Sequence, residues 1–478
     1  MLVYSEIIKN AYNKWHDKGF IFEKRDGKFE PTTFGELIEK GDVLAHKLIN
    51  DGFTGKNIMI FSRNCPDYFI ADLAITAYVG ACANINCQLP LESIELIIKK
   101  ADISAVFYEE IFEPIFSQIA KDFPEVKLYP LHKTIAELGA PEGELFDFPV
   151  KDPEVCSKII FTTGTTSDPK GVMLSLKNAF AGWDSLQRRT PFTEDEVAYC
   201  FLPMHHTYGN IYNFMYSLIG GTQLYLCSDT NKIAEELLEV KPTIFCAVPI
   251  IYRRLYEGYG EKLAYAFGGR AKYLFCGGAL LDHQLRRFYK EHGLMILEAY
   301  ALSETASSFS IEYPNTDDFE STGTVFEDLD VKVINQDERG VGDIVAKGDA
   351  VFIGYLNDPE KTKEAFTEDG YFITGDYGRL EESGRIFVMG RKKDVLIGEN
   401  GENVYLNEIQ AELMKNCEAI AKLQGKVGED GQIYYTVYIK DNTEDEVKTA
   451  IEKYNEGAVK ANRLVNYELQ PEAKITYK

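Results

Sequence analysis

Apolar residues follow two rhythms along this chain, and their alternation predicts most of its architecture. From about 155 to 300, short continuous apolar runs alternate with stretches in which apolar residues recur every three or four positions. The runs predict strands at Lys158–Thr162, Val197–Leu202, Gln223–Cys227, Thr243–Val248, Lys272–Cys276 and Met295–Glu298. Stretches such as Leu176–Arg188 and Asp282–Glu291 predict helices between them. This order implies βαβ units and a mostly parallel sheet. A fainter version occupies residues 30–130, with apolar runs at Ile58–Phe61 and Ala105–Tyr108.

The character changes from about 320 to 390, where strand-like runs are joined by tight turns. Gly323–Ile334, Gly342–Lys347, Arg379–Leu380 and Arg385–Met389 predict a small antiparallel barrel or sheet. A last unit follows Gly390-Arg391-Lys392-Lys393-Asp394, with two hairpin-like strand pairs and helices near 406–415 and 443–455. Thr443 and Glu446 have the spacing of a capping box for the second helix. The expected organisation is a large α/β part over 1–390 and a smaller α+β unit over 391–478.

At 478 residues the chain is too long for one ordinary core. Apolar residues at 45% and charged residues at 26% suit a soluble globular protein. The formal net charge of −24 argues against nucleic acid or an anionic membrane as a partner. Nine cysteines without a CxxC pair suit reduced thiols in the cytoplasm, not a disulfide framework or a zinc site. No basic-then-apolar leader opens the sequence, and the apolar stretch near 211–227 is interrupted by Asn213, Gly220, Gly221 and Gln223. It reads as a buried helix plus a strand.

The chemistry concentrates in Ile159-Ile-Phe-Thr-Thr-Gly-Thr-Thr-Ser-Asp-Pro-Lys-Gly-Val-Met-Leu-Ser175. A loop of threonines, serine and glycine with one lysine, Lys170, offers backbone N–H groups, hydroxyls and a cation to a polyphosphate. It is not a Walker A loop, because Lys170 precedes Gly171 and Val172 follows. Ligands of an open parallel sheet gather beyond the carboxyl ends of its strands. Three segments fall at such ends: this loop, Gly277-Gly278-Ala279 and Tyr300-Ala-Leu-Ser-Glu304. A turn or a helix cap accounts for each alone; their coincidence points to one pocket.

The loop resembles the phosphate loop of the adenylate-forming superfamily, which includes acyl-CoA synthetases, adenylation domains and luciferases. The resemblance runs along nearly the whole chain, in the family's order. It implies that Thr162, Thr163, Gly164, Thr165, Thr166 and Lys170 hold ATP phosphates. Pro203-Met-His-His-Thr-Tyr-Gly209 is similar to the segment whose second histidine, here His206, borders the acyl pocket. Tyr300 corresponds to the ring that stacks on adenine, near Gly278, Ala279 and Ser303, and Glu304 to the ligand of Mg²⁺. Thr374-Gly-Asp-Tyr-Gly378 is similar to the segment whose aspartate, Asp376, accepts the ribose hydroxyls. Arg391 corresponds to the arginine that meets ribose or phosphate, Lys393 to the hinge, and Lys474 to the catalytic lysine of a mobile lid. Ala301 and Ala473 stand where the family usually has glycine, and a lid of about 88 residues is short for it.

The resemblance implies an ATP- and Mg²⁺-dependent ligase that makes an acyl-adenylate, releases pyrophosphate and passes the acyl group to a thiol. CoA is the default acceptor; a carrier-protein phosphopantetheine offers the same thiol. The segment around His205 and His206 has no carboxylate to pair with an amino-acid substrate, and it looks most like fatty acyl relatives. Ile211, Tyr212, Phe214 and Met215 after it would suit an acyl wall or a core, and an aryl acid also fits so aromatic a chain. Rival readings are an enzyme that loads a carrier protein and a non-catalytic nucleotide- or acyl-binding homologue.

Overall fold

The computed structural model describes residues 3–141, 143–162, 169–279, 281–392, 395–397, 403–417, 419–428, 432–440, 442–458 and 462–472. Two large sheets dominate. The nine-stranded one has six central parallel strands, in the spatial order Ile296–Tyr300, Tyr273–Cys276, Ile244–Ala247, Val197–Cys200, Gln223–Leu226 and Gly19–Arg25. Antiparallel strands close it on both sides: Ser310–Ile311 and Thr324–Val325 at one edge, Lys28–Thr33 at the other. The parallel strands are apolar on both faces because helices cover both, and Phe245, Cys246, Phe275 and Leu297 are wholly buried.

The seven-stranded sheet runs Gly354–Tyr355, Lys170–Ser175, Cys156–Thr162, Ala81–Asn84, Asn57–Phe61, Ile103–Tyr108 and Lys127–Pro130. Its last five strands are parallel, while Lys170–Ser175 and Gly354–Tyr355 pair antiparallel. The strand beginning at Lys158 therefore belongs to a different sheet from the strands after 197, which periodicity alone had grouped together. A four-stranded antiparallel sheet follows, from Leu329–Ile334, Gly342–Gly348, Phe372–Leu380 and Ile386–Arg391.

The C-terminal unit has its own core of Ile409, Leu413, Leu423, Val437, Val447 and Ile451. Helices Leu406–Asn416 and Glu444–Gly457 pack there against strands Ile420–Val427, Ile433–Ile439 and Asn466–Pro471. The second helix starts at Thr443 as expected, but the capping box does not form. Thr443 Oγ1 instead donates to Lys440 O, and Cys417 Sγ donates to Glu446 Oε1 at 3.5 Å. This unit meets the rest through Arg339–Glu408 at 3.2 Å, Gln284 Nε2 donating to Lys415 O at 2.7 Å, and Asn407 Nδ2 donating to Met389 O at 3.1 Å.

The predicted helix over 176–188 is two helices, Leu176–Ala181 and Trp183–Arg189. They meet at Gly182, where a Cβ would lie 2.2 Å from Ser308 Oγ, so close approach and not propensity selects glycine. Residues 208–227 form the expected buried helix and strand, the helix beginning as a π-helical stretch over Tyr208–Met215. No helix among the described residues is long and apolar enough to cross a membrane.

Candidate active site

Parallel strands deliver their following segments to one edge, and three of them meet there. Strand Val197–Cys200 leads to Pro203–Gly209, Tyr273–Cys276 to Gly277–Ala279, and Ile296–Tyr300 to Ala301–Glu304. Gly278 sits at φ +85°, a left-handed conformation that glycine adopts without strain, and Gly278 and Ala279 are exposed. A Cβ on Gly209 would lie 2.5 Å from Pro203 O, so the turn into the π-helix closes only with glycine. Ser307 Oγ donates to Thr207 Oγ1 at 2.6 Å and ties the histidine segment to the loop after Glu304. Ala306 and Ser307 carry the left-handed φ values in that loop, +49° and +59°. Ala301 is not among the residues with positive φ, so its methyl group strains nothing.

The threonine-rich loop arrives differently from expectation. Its flanking strands pair antiparallel in the seven-stranded sheet, with Thr162 opposite Lys170. Thr163, Gly164, Thr165 and Thr166 lie outside the described residues; Lys170, on the returning strand, is described. Its Nζ lies 3.7 Å from Glu304 Oε1 and 3.6 Å from the centre of the Tyr355 ring. Tyr355 OH donates to the same carboxylate oxygen at 2.9 Å, and Phe352 N donates to Glu304 O at 2.8 Å. Burial pulls the Lys170 pKa down while Glu304 opposes that shift. Burial, with Glu304 adding to it, pushes the Tyr355 phenol up, so the phenol stays a neutral donor.

On the other side of Glu304, Tyr300 OH donates to Asp376 Oδ2, and Arg391 Nε lies 3.1 Å from Asp376 Oδ1. Asp376 and Arg391 are cross-strand partners, which places the guanidinium over the carboxylate. Asp376 N also accepts support from Thr374, donating to its Oγ1 at 3.1 Å. The next residue, Lys392, pairs with Asp343 at 2.8 Å. The Tyr300 ring packs edge-on to Phe309, with centroids 4.7 Å apart. Ser303 opens the short turn Ser303–Thr305 that carries Glu304. His205 and His206 pack against each other with ring centroids 4.7 Å apart. His206 is exposed, while neighbouring protein still disfavours its charge. Burial lowers its pKa, and burial together with His206 lowers that of His205 to about 4. Lys393 and Lys474 lie outside the described residues.

These groups suit a nucleotide triphosphate with a divalent cation. Asp376 already accepts a hydroxyl from Tyr300, the kind of donor a ribose presents. Glu304 is one carboxylate beside a cationic lysine, and Mg²⁺ is commonly held by one or two carboxylates completed by phosphate and water. Among the described residues no group of three or more His, Cys, Asp or Glu forms a cation cage of protein ligands alone. One participant had no sequence signal: Tyr355, in an unremarkable Gly354-Tyr355 strand; Thr374 opens the motif that carries Asp376, and its carbonyl lies 3.5 Å from Arg391 Nη1. Of the two readings open for the run after His206, acyl wall or core, its residues have the burial of core, with Ile211, Phe214 and Met215 wholly enclosed.

The family described as AMP-binding enzyme matches residues 8–356. The long-chain-fatty-acid–CoA ligase ACSBG1 of Rattus norvegicus is 25% identical over 473 residues, spanning 84% of this chain and 66% of that protein. The 2-succinylbenzoate–CoA ligase of Enterococcus faecalis is 26% identical over 363 residues, 74% of this chain and 72% of that protein. The chain thus spans slightly less than two thirds of the rat protein, and 64% of the similar ACSBG2 of Gallus gallus. In fold it is similar to ATP-bound MatB from Rhodopseudomonas palustris, with a TM-score of 0.85 at 23% identity over 98% of this chain and 95% of that one. It is also similar to the o-succinylbenzoate CoA synthetase of Bacillus subtilis with AMP, with a TM-score of 0.82 at 19% identity over 97% and 94%. The family match takes in both large sheets and the edge where Lys170, Glu304 and Tyr300 meet, and by that match the chain belongs to the AMP-binding enzyme family.

Proposed function

We propose that this chain activates a carboxylic acid with ATP, releasing pyrophosphate, and passes the acyl group of the resulting acyl-adenylate to the thiol of CoA. The observation that carries this reading is the meeting of Lys170, Glu304, Tyr300, Asp376 and Arg391 at one edge in a member of this family. The substrate carboxylate is already ionised, so its attack on the α-phosphorus needs no general base. The obstacle is charge, because an anion approaches a polyanion and negative charge moves onto the bridging oxygen. Fixed cations and positioning therefore supply most of the rate.

Lys170 lies where it meets the outer phosphates, and Arg391 reaches ribose or the α-phosphate beside Asp376. Asp376 takes the ribose hydroxyls in place of the Tyr300 hydroxyl, whose ring then faces adenine near Gly278 and Ala279. Thr162 to Thr166 supply hydroxyls and N–H groups to the β- and γ-phosphates. Glu304 would hold Mg²⁺, which supplies charge neutralisation on the phosphates when bound. Lys474 bridges the acid and the α-phosphate. The unit over 391–478 acts as a lid that turns about Lys392–Lys393, withdrawing Lys474 so that the thiol can attack the acyl carbon and expel AMP.

Fatty acids are the first acid class to test, and CoA the first acceptor, since the similar curated proteins are named as CoA ligases of long-chain fatty acids and of 2-succinylbenzoate. Reduced cysteines, all nine of them free, suit a cytoplasmic reaction. The test is pyrophosphate release with ATP, Mg²⁺ and a panel of fatty, aryl and amino acids in the absence of thiol, followed by addition of CoA. Release with one acid class and consumption of the adenylate by CoA are the expected results. Transfer only to a carrier protein would replace CoA as the acceptor. ATP binding with silence across the panel would favour the non-catalytic reading.

A further inference from the structure

Past His206, the described residues of the helix and of the strands facing it are closed to a long acyl chain. Ile211, Phe214 and Met215 have no accessible surface, and Tyr212 keeps 3%. The facing strands are just as closed, with Cys246, Phe275 and Leu297 at 0%. A channel that takes a polymethylene chain also takes a water-sized sphere, so its lining retains accessible area; these residues retain essentially none. Accessible surface reappears one layer nearer the nucleotide edge. Tyr208, Val248, Ala299 and Ala301 are partly exposed there, and His206 and Gly278 are exposed.

Tyr208 marks the boundary between the two layers. Its ring lies against the backbone of Gly277, where a Cβ would be 3.6 Å from a ring carbon, and edge-on to Tyr212 with centroids 5.7 Å apart. Its hydroxyl donates to Phe275 O at 3.1 Å. Tyr252 OH donates to the same carbonyl at 2.8 Å, so both lone pairs are engaged. The phenol is held at its deep end while part of the residue remains open to the edge. Burial pushes its pKa well above the ordinary value, which keeps it a donor.

We infer that Tyr208 is the floor of the acid pocket and confines this chain to compact, apolar carboxylic acids, short aliphatic acids above all. The inference rests on the acid-activating reading above and narrows it. Apolarity follows from the lining. Val248, Ala299 and Ala301 are carbon surfaces, and burial together with the neighbouring ring lowers the His205 pKa to about 4, so that ring is neutral at pH 7. A second carboxylate or an ammonium on the acid would lose hydration there without gaining a partner. Lys170 and Glu304 face each other at the phosphate end, and Asp376 faces Arg391.

The deciding experiment measures kcat/KM for pyrophosphate release by the whole chain, over straight-chain acids from propionate to palmitate. The unmodified protein should favour an acid of six carbons or fewer over palmitate by about 10-fold or more, since each misfitting methylene is felt in a closed pocket. Tyr208→Ala should move the optimum to longer acids, and Tyr208→Phe, which keeps the ring, should leave it in place. Palmitate as the best substrate, or an unmoved optimum in a folded Tyr208→Ala protein, overturns the inference. If Tyr208→Ala does not fold, the unmodified protein's chain-length profile decides alone. Should no acid release pyrophosphate, the reaction itself is wrong, and the pocket is read by thermal shift of the ATP-loaded protein. Stabilisation by butyrate but not by dodecanoate supports the floor; stabilisation by dodecanoate, or by neither, rejects it.

Discussion

Two lysine–carboxylate pairs rise from the same hairpin and have opposite characters. Lys158, on strand Cys156–Thr162, meets Asp72 at 2.8 Å with the two side chains 2% and 0% exposed. Lys170, on the returning strand, meets Glu304 at 3.7 Å with exposures of 37% and 14%. The first pair is saturated. Asp72 also accepts from Asn84 Nδ2 at 2.8 Å and Asn210 Nδ2 at 3.3 Å, and Lys158 also donates to Thr76. Asn210 belongs to the π-helical stretch after His206, so Asp72 joins the strand that leads into the phosphate loop to the helix that follows the histidines. The second pair is loose and open. It leaves Lys170 donors free to turn to an incoming phosphate, with the Tyr355 ring supporting the ammonium. Identical residue types thus serve cohesion where water is excluded and ligand binding where it is not.

The contrast breaks most sharply at Asp72. Asp72→Ala leaves a buried ammonium without its counter-ion and removes an acceptor from the amides of Asn84 and Asn210, and denaturant unfolding should record a loss of about 3–5 kcal/mol. A loss below about 1 kcal/mol would place both pairs in one class. A third lysine tests the lid side of the site. Lys474→Ala should lower adenylation about 10²–10³-fold while a supplied acyl-adenylate still reacts with CoA at nearly the native rate. Equal loss of both steps would remove the lid rotation from the mechanism.

Lys170→Ala is the counterpart of the Asp72 change. Stability should move by less than about 1 kcal/mol, because the pair is partly exposed. kcat/KM for ATP should fall about 10²-fold, as for loss of one preorganised charge at a phosphate. A large stability loss with intact catalysis would reverse the assignment of the two lysines. The smallest effect concerns pH. The unfolded chain protonates His205 near its ordinary 6.5, whereas the folded chain resists down to about 4. The stability contributed by the neutral ring is therefore complete above pH 6.5 and is lost as pH falls towards 4. The unfolding midpoint should drop further between pH 7.5 and 5 in the native chain than in His205→Gln. Parallel drops would show that the His205 environment contributes nothing.

Much of the architecture was legible because burial leaves periodic traces. Strands buried on both faces read as unbroken apolar runs, and Tyr273–Cys276 and Ile244–Ala247 lie within one residue of each end of the predicted spans. The failures share one cause, contacts from distant sequence. Nothing local to Gly182 predicts Ser308 beside it. Nothing in Thr443-x-x-Glu446 shows that Cys417 will occupy the glutamate. The assignment of the Lys158 strand to a second sheet depends on Ala81–Asn84 as its neighbour.

The candidate site divides the same way. Chemistry carried by contiguous motifs was open to reading: the lysine and threonines of the phosphate loop, the Tyr300–Glu304 string, Asp376 and Arg391. Local order sets which functional groups a turn can present, and that survives in the sequence. Which groups face one another was decided only in three dimensions. Tyr355 comes to Glu304 through a strand added at the edge of a sheet, and Lys158 differs from Lys170 only in being sealed from water. Whether Ile211, Tyr212 and Phe214 line a channel or fill a core rests on the ring of Tyr208 against Gly277. That contact is fixed by the packing of a helix on a strand more than sixty residues away, and a linear pattern of apolar positions is the same in either case.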